Sequence, residues 1–156
     1  MAITNRLRDA KALRATKFGI PVERATGTLP ATTQSALFTV TGGRVAILGI
    51  IGEVTTVIQT QANNTKIVAN PTTGTDVDIC AVLNISADEV GTLYGITGTF
   101  SDAMVGANAG ATVMCGRPVV VPAGTIDLNC AATNTGSVKW ALFYLPIDDG
   151  AYVTAA

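Results

Sequence analysis

The chain has 156 residues, of which 48% are hydrophobic and only 13% charged, and it contains no histidine. This length suits one domain with a sizeable core, and the low charge leaves much of the surface to small uncharged side chains or to a partner. Because histidine is the commonest general base and metal ligand, the composition argues against catalysis more firmly than it argues for any one function.

Basic residues are concentrated at the N-terminus. Six of the ten lie in the first 24 positions, where two acids leave a net charge of +4, whereas the remaining residues carry −5. A basic arm on a mildly acidic body predicts that the arm contacts an acidic surface or nucleic acid. The predicted contact residues of the arm are Arg6, Arg8, Lys11, Arg14, Lys17 and Arg24.

The first 35 residues of the chain divide into an arm and a connector. Residues 4–18 predict a short helix that ends at Gly19, with a solvated or extended tail as the alternative. Residues 20–35 are rich in Pro, Thr, Ala and Gly without a period, which predicts an extended connector. The expected organisation is an arm with its connector over residues 1–35 and one β domain over residues 36–156.

The stretch after the connector predicts a hairpin with an unusual second strand. Paired glycines at 42 and 43 are typical of a tight turn between antiparallel strands. The following strand, residues 44–51, is apolar on both faces, so neither face is expected to meet water. We expect the domain's own core on one side and a second copy of the chain on the other. The predicted subunit interface comprises Val45, Ile47, Leu48 and Ile50.

From there on, strands alternate with turn residues at intervals of about ten. Residues 77–85 show the clearest alternation, with the odd positions predicted to face inward and Asp76 and Asp78 outward. Residues 111–115 and 118–121 are predicted to pair across a turn. Eight to ten such strands predict an all-β protein, an antiparallel jelly-roll-like β-sandwich.

Few residues suggest chemistry. Asp76 and Asp78 lie two apart on a strand and so share a face, where they would hold a cation or act as an acid–base pair, or simply be solvated. The three cysteines are scattered and are best explained as small buried hydrophobes. Trp140 and Tyr144 also share a strand face, as a sugar-stacking platform or as core. No catalytic, cofactor or metal site is predicted.

The sequence also bears on location. The N-terminus lacks the apolar core of a signal peptide, and the longest uncharged apolar run, residues 45–52, is far shorter than the roughly 18 residues that span a bilayer. Aromatic residues are not interleaved with the basic ones, which disfavours a nucleic-acid surface. We therefore expect synthesis in a cytoplasm, no membrane partner and no nucleic acid.

Three segments carry a resemblance to a known class of protein. They are LFTVTGGRVAIL (residues 37–48), GEVTTVIQ (residues 52–59) and GSVKWALFYLPIDDGA (residues 136–151). Over residues 36–150 the chain resembles small virion structural proteins of tailed bacteriophages. The resemblance implies a non-enzymatic capsid decoration protein, a homotrimer bound to the major capsid protein in the virion.

Two other functions compete with this one. The first is a receptor- or glycan-binding module of a phage tail or fibre, with Trp140, Tyr144 and residues 106–110 as contacts. The second and weaker one is a carboxylate- or calcium-dependent hydrolase at Asp76 and Asp78.

Overall fold

A computed structural model describes residues 10–156 of the chain, with 48% of residues in strands and 6% in helix. The helix is α1 (Ala10–Phe18). The strands are β1 (Ile20–Thr28), β2 (Gln34–Thr41), β3 (Val45–Thr56), β4 (Asn64–Pro71), β5 (Val77–Asp78), β6 (Leu83–Asn84), β7 (Leu93–Gly95), β8 (Val119–Val121), β9 (Gly124–Cys130), β10 (Ser137–Pro146) and β11 (Tyr152–Ala155).

The strands form two antiparallel sheets that pack face to face. The first sheet has the order β1-β10-β3-β7, with β8 also paired to β3, and the second has the order β11-β2-β9-β4-β5, with β6 also paired to β4. Strands β1 to β4 alternate between the sheets. Strand β9 then lies between β2 and β4 in the second sheet, and β10 lies between β1 and β3 in the first. This is the arrangement of a jelly roll. The predicted all-β jelly-roll-like sandwich is confirmed.

The paired glycines at 42 and 43 link the two sheets. Strand β2 belongs to the second sheet and β3 to the first, so the predicted hairpin between them is wrong. Both glycines have positive φ, 81° and 143°, and a Cβ on Gly43 would lie 2.7 Å from the Asp148 Cβ. Glycine is therefore required here for a crossover between layers.

Strand β1 lies in the region predicted to be a connector. It pairs with β10 from Ile20 opposite Tyr144 to Thr28 opposite Ser137, with one irregularity between Arg24 and Gly27. The sandwich therefore begins at Ile20 and not at residue 36, so the predicted domain boundary is misplaced. The sequence does not predict this pairing, because a strand at the edge of a sheet needs no alternation of apolar and polar residues.

Helix α1 ends where the sequence predicts. Gly19 adopts φ 86°, and its N–H donates to the Ala15 carbonyl at 3.2 Å, which is a left-handed C-terminal cap. The first part of the predicted helix lies outside the described residues.

The core between the sheets is built from aliphatic side chains and a few aromatic rings. Tyr94 and Trp140 stack with ring centroids 6.3 Å apart, and both side chains are buried. Cys80 and Cys130 are buried in the same core, as predicted. Cys115 is half-buried and lies outside the strands.

Residues 77–85 do not form the predicted continuous strand. Only two short pieces, β5 and β6, pair with β4. Ile79 and Ile85 are buried as predicted, but Val77 is 45% exposed. Between these pieces the segment stays beside β4, because the Ile79 N–H donates to the Ile67 carbonyl at 3.0 Å and the Cys80 sulfur, in place of a backbone carbonyl, accepts the Ile67 N–H at 3.2 Å.

Candidate functional site

The candidate site is the outer face of the first sheet, the side that points away from the core. Alternation along β10 places Lys139, Ala141, Phe143 and Leu145 on this face, between the buried residues of the core face. The alternation of buried and exposed residues was visible in the sequence of β10, yet only its core-facing half was used in the prediction.

A β-bulge decides which residues of β3 belong to this face. The register with β10 slips by one residue where Phe143 is opposite Gly49 and Tyr144 is opposite Ile47, so Leu48 is the extra residue. Beyond the bulge the inward–outward alternation of β3 is reversed, so Ile47 and Ile50 face the same way. A strict alternation had placed them on opposite sides.

The predicted subunit interface is wrong for three of its four residues. Val45, Ile47 and Ile50 are at most 1% exposed and belong to the core of the single chain. Their side chains therefore have no free surface for a second copy. Leu48, at the bulge, is half-buried on the outer side beside Gly19, and its role as a contact stays a prediction.

A segment of the chain itself covers part of the outer face. We call residues 111–116 the covering segment. Its Cys115 N–H donates to the Leu48 carbonyl at 3.2 Å, and its Gly116 N–H donates to the Thr97 carbonyl at 2.8 Å. A Cβ on Gly49 would collide with the Met114 thioether. Residues 111–115 therefore lie over β3 and do not pair with residues 118–121, as the sequence had predicted.

The rest of the outer face is open. A groove of about 470 Å³ lies over Ala141, with Ile51 beside it and Glu23, Glu53 and Lys139 among the residues that line it. Lys139 and Glu53 form an ion pair at 2.9 Å. Towards the other end of β10, Leu145 is 46% exposed, and Val120 of β8 is 56% exposed. The face is thus apolar over most of its length and charged at one end.

The C-terminal end of helix α1 lies at the apolar end of this face. The Phe18 ring packs edge-on against Phe143 with centroids 6.1 Å apart, and a Cβ on Gly19 would lie 3.1 Å from Leu48 Cδ1. No residue of α1 is buried. The helix is therefore attached to the sandwich by its last turn, and the apolar contact at that turn is the only ring contact of α1 among the described residues.

The basic residues of the predicted arm fall into three groups. Arg6 and Arg8 lie outside the described residues. Lys11, Arg14 and Lys17 are on α1, at positions i, i+3 and i+6 on one side of the helix.

Arg24 differs from the other five. It lies in β1, and its Nε donates to the Ala156 carbonyl at 3.3 Å. Arg24 thus belongs to the edge of the sandwich and connects the first sheet to the end of the chain.

Trp140 and Tyr144 do not form the aromatic platform that a glycan-binding module would require. Trp140 and Tyr144 are 3% and 4% exposed, inside the core. Residues 106–110 begin at Gly106, where a Cβ would collide with the Tyr94 ring. The expected assignment of Trp140 and Tyr144 to the core is confirmed, and the alternative that they stack on a sugar is wrong.

The carboxylates considered for catalysis have structural partners. Asp78 forms an ion pair with Lys66 at 2.6 Å, and Asp76 accepts a hydrogen bond from Gln34 at 3.0 Å. Within residues 10–156 no group of three or more His, Cys, Asp or Glu side chains is arranged to hold a metal ion. Each of the two aspartates thus contacts a different partner side chain.

The thiols are held in their neutral form. Burial raises the pKa of Cys80 and Cys130 above its usual range, and raises the pKa of Cys115 to about 11. A protonated thiol is a poor nucleophile and metal ligand. All three cysteines are free.

Comparisons with known proteins identify no relative: no family model, no curated protein and no solved structure matches the chain. In the part of the chain that is described, no helix has the length and apolar character to cross a membrane.

Proposed function

We propose that this chain is a non-enzymatic structural protein of a phage virion, a decoration protein that binds the assembled head shell. The observation that carries the proposal is the attachment of α1. A helix with no buried residue and three basic side chains extends from an exposed apolar sheet face. Such a segment contributes little to its own domain, and its composition suits an acidic partner surface.

The outer face supplies the second part of the contact. Leu145 and Val120 are large apolar residues that are about half exposed, at the same end of the face as Phe18. Exposed apolar patches on soluble proteins often mark interaction sites. In this proposal the patch contacts neighbouring copies, most simply as a homotrimer, and α1 with the preceding residues lies on the major capsid protein.

The mechanism is thermodynamic. A protein that binds only the assembled shell stabilises it by mass action, and the gain in free energy grows with the logarithm of its free concentration. No residue needs to react, and the jelly roll holds the last turn of α1 beside the apolar patch.

Binding to undecorated heads tests the proposal. A variant that lacks residues 1–18 keeps β1, which begins at Ile20, so the sandwich stays whole. We expect the full chain to co-sediment with heads and to raise their resistance to heat, and the truncated chain to bind markedly less. Undiminished binding of the truncated chain would remove the arm from the mechanism.

A matched charge reversal separates the arm from general electrostatics. Arg14→Glu changes the charge of α1, whereas Arg117→Glu makes the same change at an exposed position elsewhere on the surface. The proposal requires the first substitution to weaken binding at low salt more than the second does. Failure of the full chain to bind any phage head would overturn the proposed function itself.

A further inference from the structure

The covering segment packs on the first sheet at two glycines. A Cβ on Gly49 would lie 2.6 Å from Met114 Sδ, and a Cβ on Gly95 would collide with the Thr112 hydroxyl. Gly49 is in β3 and Gly95 ends β7. Because neither glycine has a side chain, each leaves a space that a side chain of the covering segment occupies.

Hydrogen bonds to neighbouring loops and strands hold the chain at both ends of this stretch. Before the covering segment, the Ala109 carbonyl accepts the Leu93 N–H at 2.8 Å. At its C-terminal end, the Thr97 carbonyl accepts the Gly116 N–H at 2.8 Å. The residues between these two anchors can therefore leave the sheet while the ends stay in place.

Between the anchors, the covering segment has few contacts that hold it closed. One backbone hydrogen bond joins it to β3 in the described part of the chain, from the Cys115 N–H to the Leu48 carbonyl at 3.2 Å. Thr112 Oγ1 is buried without a hydrogen-bond partner, a cost that ends when the hydroxyl reaches water. Val113 is 43% exposed. The closed position therefore depends strongly on the half-buried side chains of Met114 and Cys115.

Of the two methionines among residues 10–156, Met114 is the more accessible to an oxidant. It is half-buried, whereas Met104 is 2% exposed in the core. The neighbouring thiol is a poor competitor for the oxidant, because burial raises the pKa of Cys115 to about 11 and the thiolate is the reactive form.

We propose that Met114 is an oxidation site whose conversion to the sulfoxide by a hydroperoxide opens the covering segment. The sulfur lone pair attacks one peroxide oxygen, an S–O bond forms and the O–O bond breaks. With hydrogen peroxide, the second oxygen leaves as water after taking the proton of the first, so the sulfur is oxidised by two electrons and the peroxide is reduced. The sulfoxide is polar and larger than the thioether, so it no longer suits the close contact with the Gly49 backbone.

Opening joins two parts of the outer face. The apolar patch lies at Ala46, which is opposite both Leu145 and Val120, and the groove reaches Ile51. Gly49 lies between Ala46 and Ile51 along β3, so Met114 covers the stretch between patch and groove. Oxidation of Met114 therefore extends the exposed apolar surface of β3.

Treatment of the full chain with hydrogen peroxide tests the proposal. By peptide mass spectrometry we expect Met114 to gain one oxygen at least about tenfold faster than Met104. After oxidation, the Cys115 amide should exchange its hydrogen at least about tenfold faster, because its bond to Leu48 is lost. Equal oxidation rates of the two methionines, or oxidised Met114 with unchanged exchange at Cys115, would refute the proposal. No phage head enters this experiment, so its failure leaves the proposed function unaffected.

Met114→Leu separates the thioether from the thiols. Leucine fills a similar volume without a sulfur atom, so we expect slow exchange at Cys115 both before and after peroxide. Faster exchange in the peroxide-treated variant would assign the effect to a cysteine and contradict the role of Met114.

A pair of glycine substitutions tests the closed contact without any oxidant. The three atoms nearest to a Cβ on Gly49 all belong to the Met114 side chain, so Gly49→Ala displaces that side chain and leaves the β3 backbone in place. We expect fast exchange at Cys115 in this variant before any peroxide is added. Gly110→Ala is the matched control, since a Cβ there meets no atom within 4 Å, and it should leave the exchange unchanged. The same exchange rate in both variants would show that the contact of Met114 with Gly49 does not hold the segment closed.

Discussion

At the residue scale, the hydrogen bond between Tyr94 and Asp88 is a polar contact enclosed by the fold. The hydroxyl donates to Asp88 Oδ2 at 2.6 Å, and the two residues are 1% and 3% exposed. Burial, and then the bond to Asp88, raise the pKa of Tyr94 far above its usual range. Tyr94 therefore stays protonated and is a permanent donor to this buried carboxylate.

Tyr94→Phe removes that donor and leaves the ring in place. We expect a loss of about 1.5–3 kcal/mol in the free energy of unfolding, because a hydrogen bond to a buried charged group is lost without replacement. Urea unfolding at neutral pH measures the loss. Tyr152→Phe, at a position 48% exposed, is the control and should change stability by less than about 0.5 kcal/mol. Equal effects of the two substitutions would contradict this role of Tyr94.

The contact between Arg44 and Asp148 predicts a pH dependence. Hydrogen bonds from the Arg44 guanidinium and backbone N–H lower the pKa of Asp148 from 3.8 to about 2. Because the folded-state pKa is the lower one, folding favours the ionised carboxylate. Its contribution to stability is complete above the unfolded pKa and is lost as the pH falls from about 4 to about 2.

Comparison with Asp148→Asn isolates that contribution, since all other carboxylates are common to both proteins. We expect the wild type to be the more stable at neutral pH and the difference to shrink as the pH falls towards 2. Urea unfolding across this range measures it, and added salt should reduce the difference further because the pair is exposed. A difference that stays constant with pH would show that the pair adds nothing through charge.

At the element scale, α1 and β1 are neighbours in the chain with opposite roles. Helix α1 has no buried residue, whereas β1 pairs with β10 along most of its length. The sequence showed the end of the helix, since Gly19 is a recognisable cap. It did not show β1, because the polar and turn-forming residues of this strand at a sheet edge match the pattern of a linker.

Two truncations separate these roles. Removal of residues 1–18 should lower the free energy of unfolding by about 1 kcal/mol or less, mainly through the contact of Phe18 with Phe143. Removal of residues 1–28 should prevent folding or cause aggregation, since it exposes the edge of β10. Thermal unfolding of both variants measures the contrast. A large loss on the shorter truncation would mean that α1 is part of the fold.

Strand β3 shows why the outer face was only partly predictable. One of its two apolar faces lies in the core as expected, and the other is covered over only part of its length. The bulge at Leu48 then inverted the alternation, and the cover proved to include the chain's own residues 111–116. A bulge depends on the register with a partner strand that is distant in sequence, so local periodicity does not reveal it.

At the scale of the whole molecule, fold and assembly are expected to depend on different residues of the first sheet. Ile50 is 1% exposed in the core, whereas Leu145 is 46% exposed on the outer face. The class of fold followed from the spacing of strands and turns along the sequence. The position of the proposed assembly surface did not, because it depends on which strands become neighbours.

Ile50→Ala and Leu145→Asp should therefore fail in different assays. We expect Ile50→Ala to lose about 2–5 kcal/mol of stability through the cavity it creates. Leu145→Asp should fold normally but lose self-association and head binding. Thermal unfolding and light scattering measure the two effects. Val90→Asp, at a loop position 60% exposed, is the matched control and should leave both unchanged.

The pairing of β1 with β10 has a consequence for synthesis on the ribosome. Strand β1 ends at Thr28, and the strand that pairs with it does not begin until Ser137. At about 5–20 residues per second, β1 has no partner for roughly 5–20 s after it is made. Its Pro21, Glu23 and Arg24 hinder pairing with other chains during that delay. The first sheet thus closes only after β10 has been made, so a chain interrupted before β10 keeps that edge open.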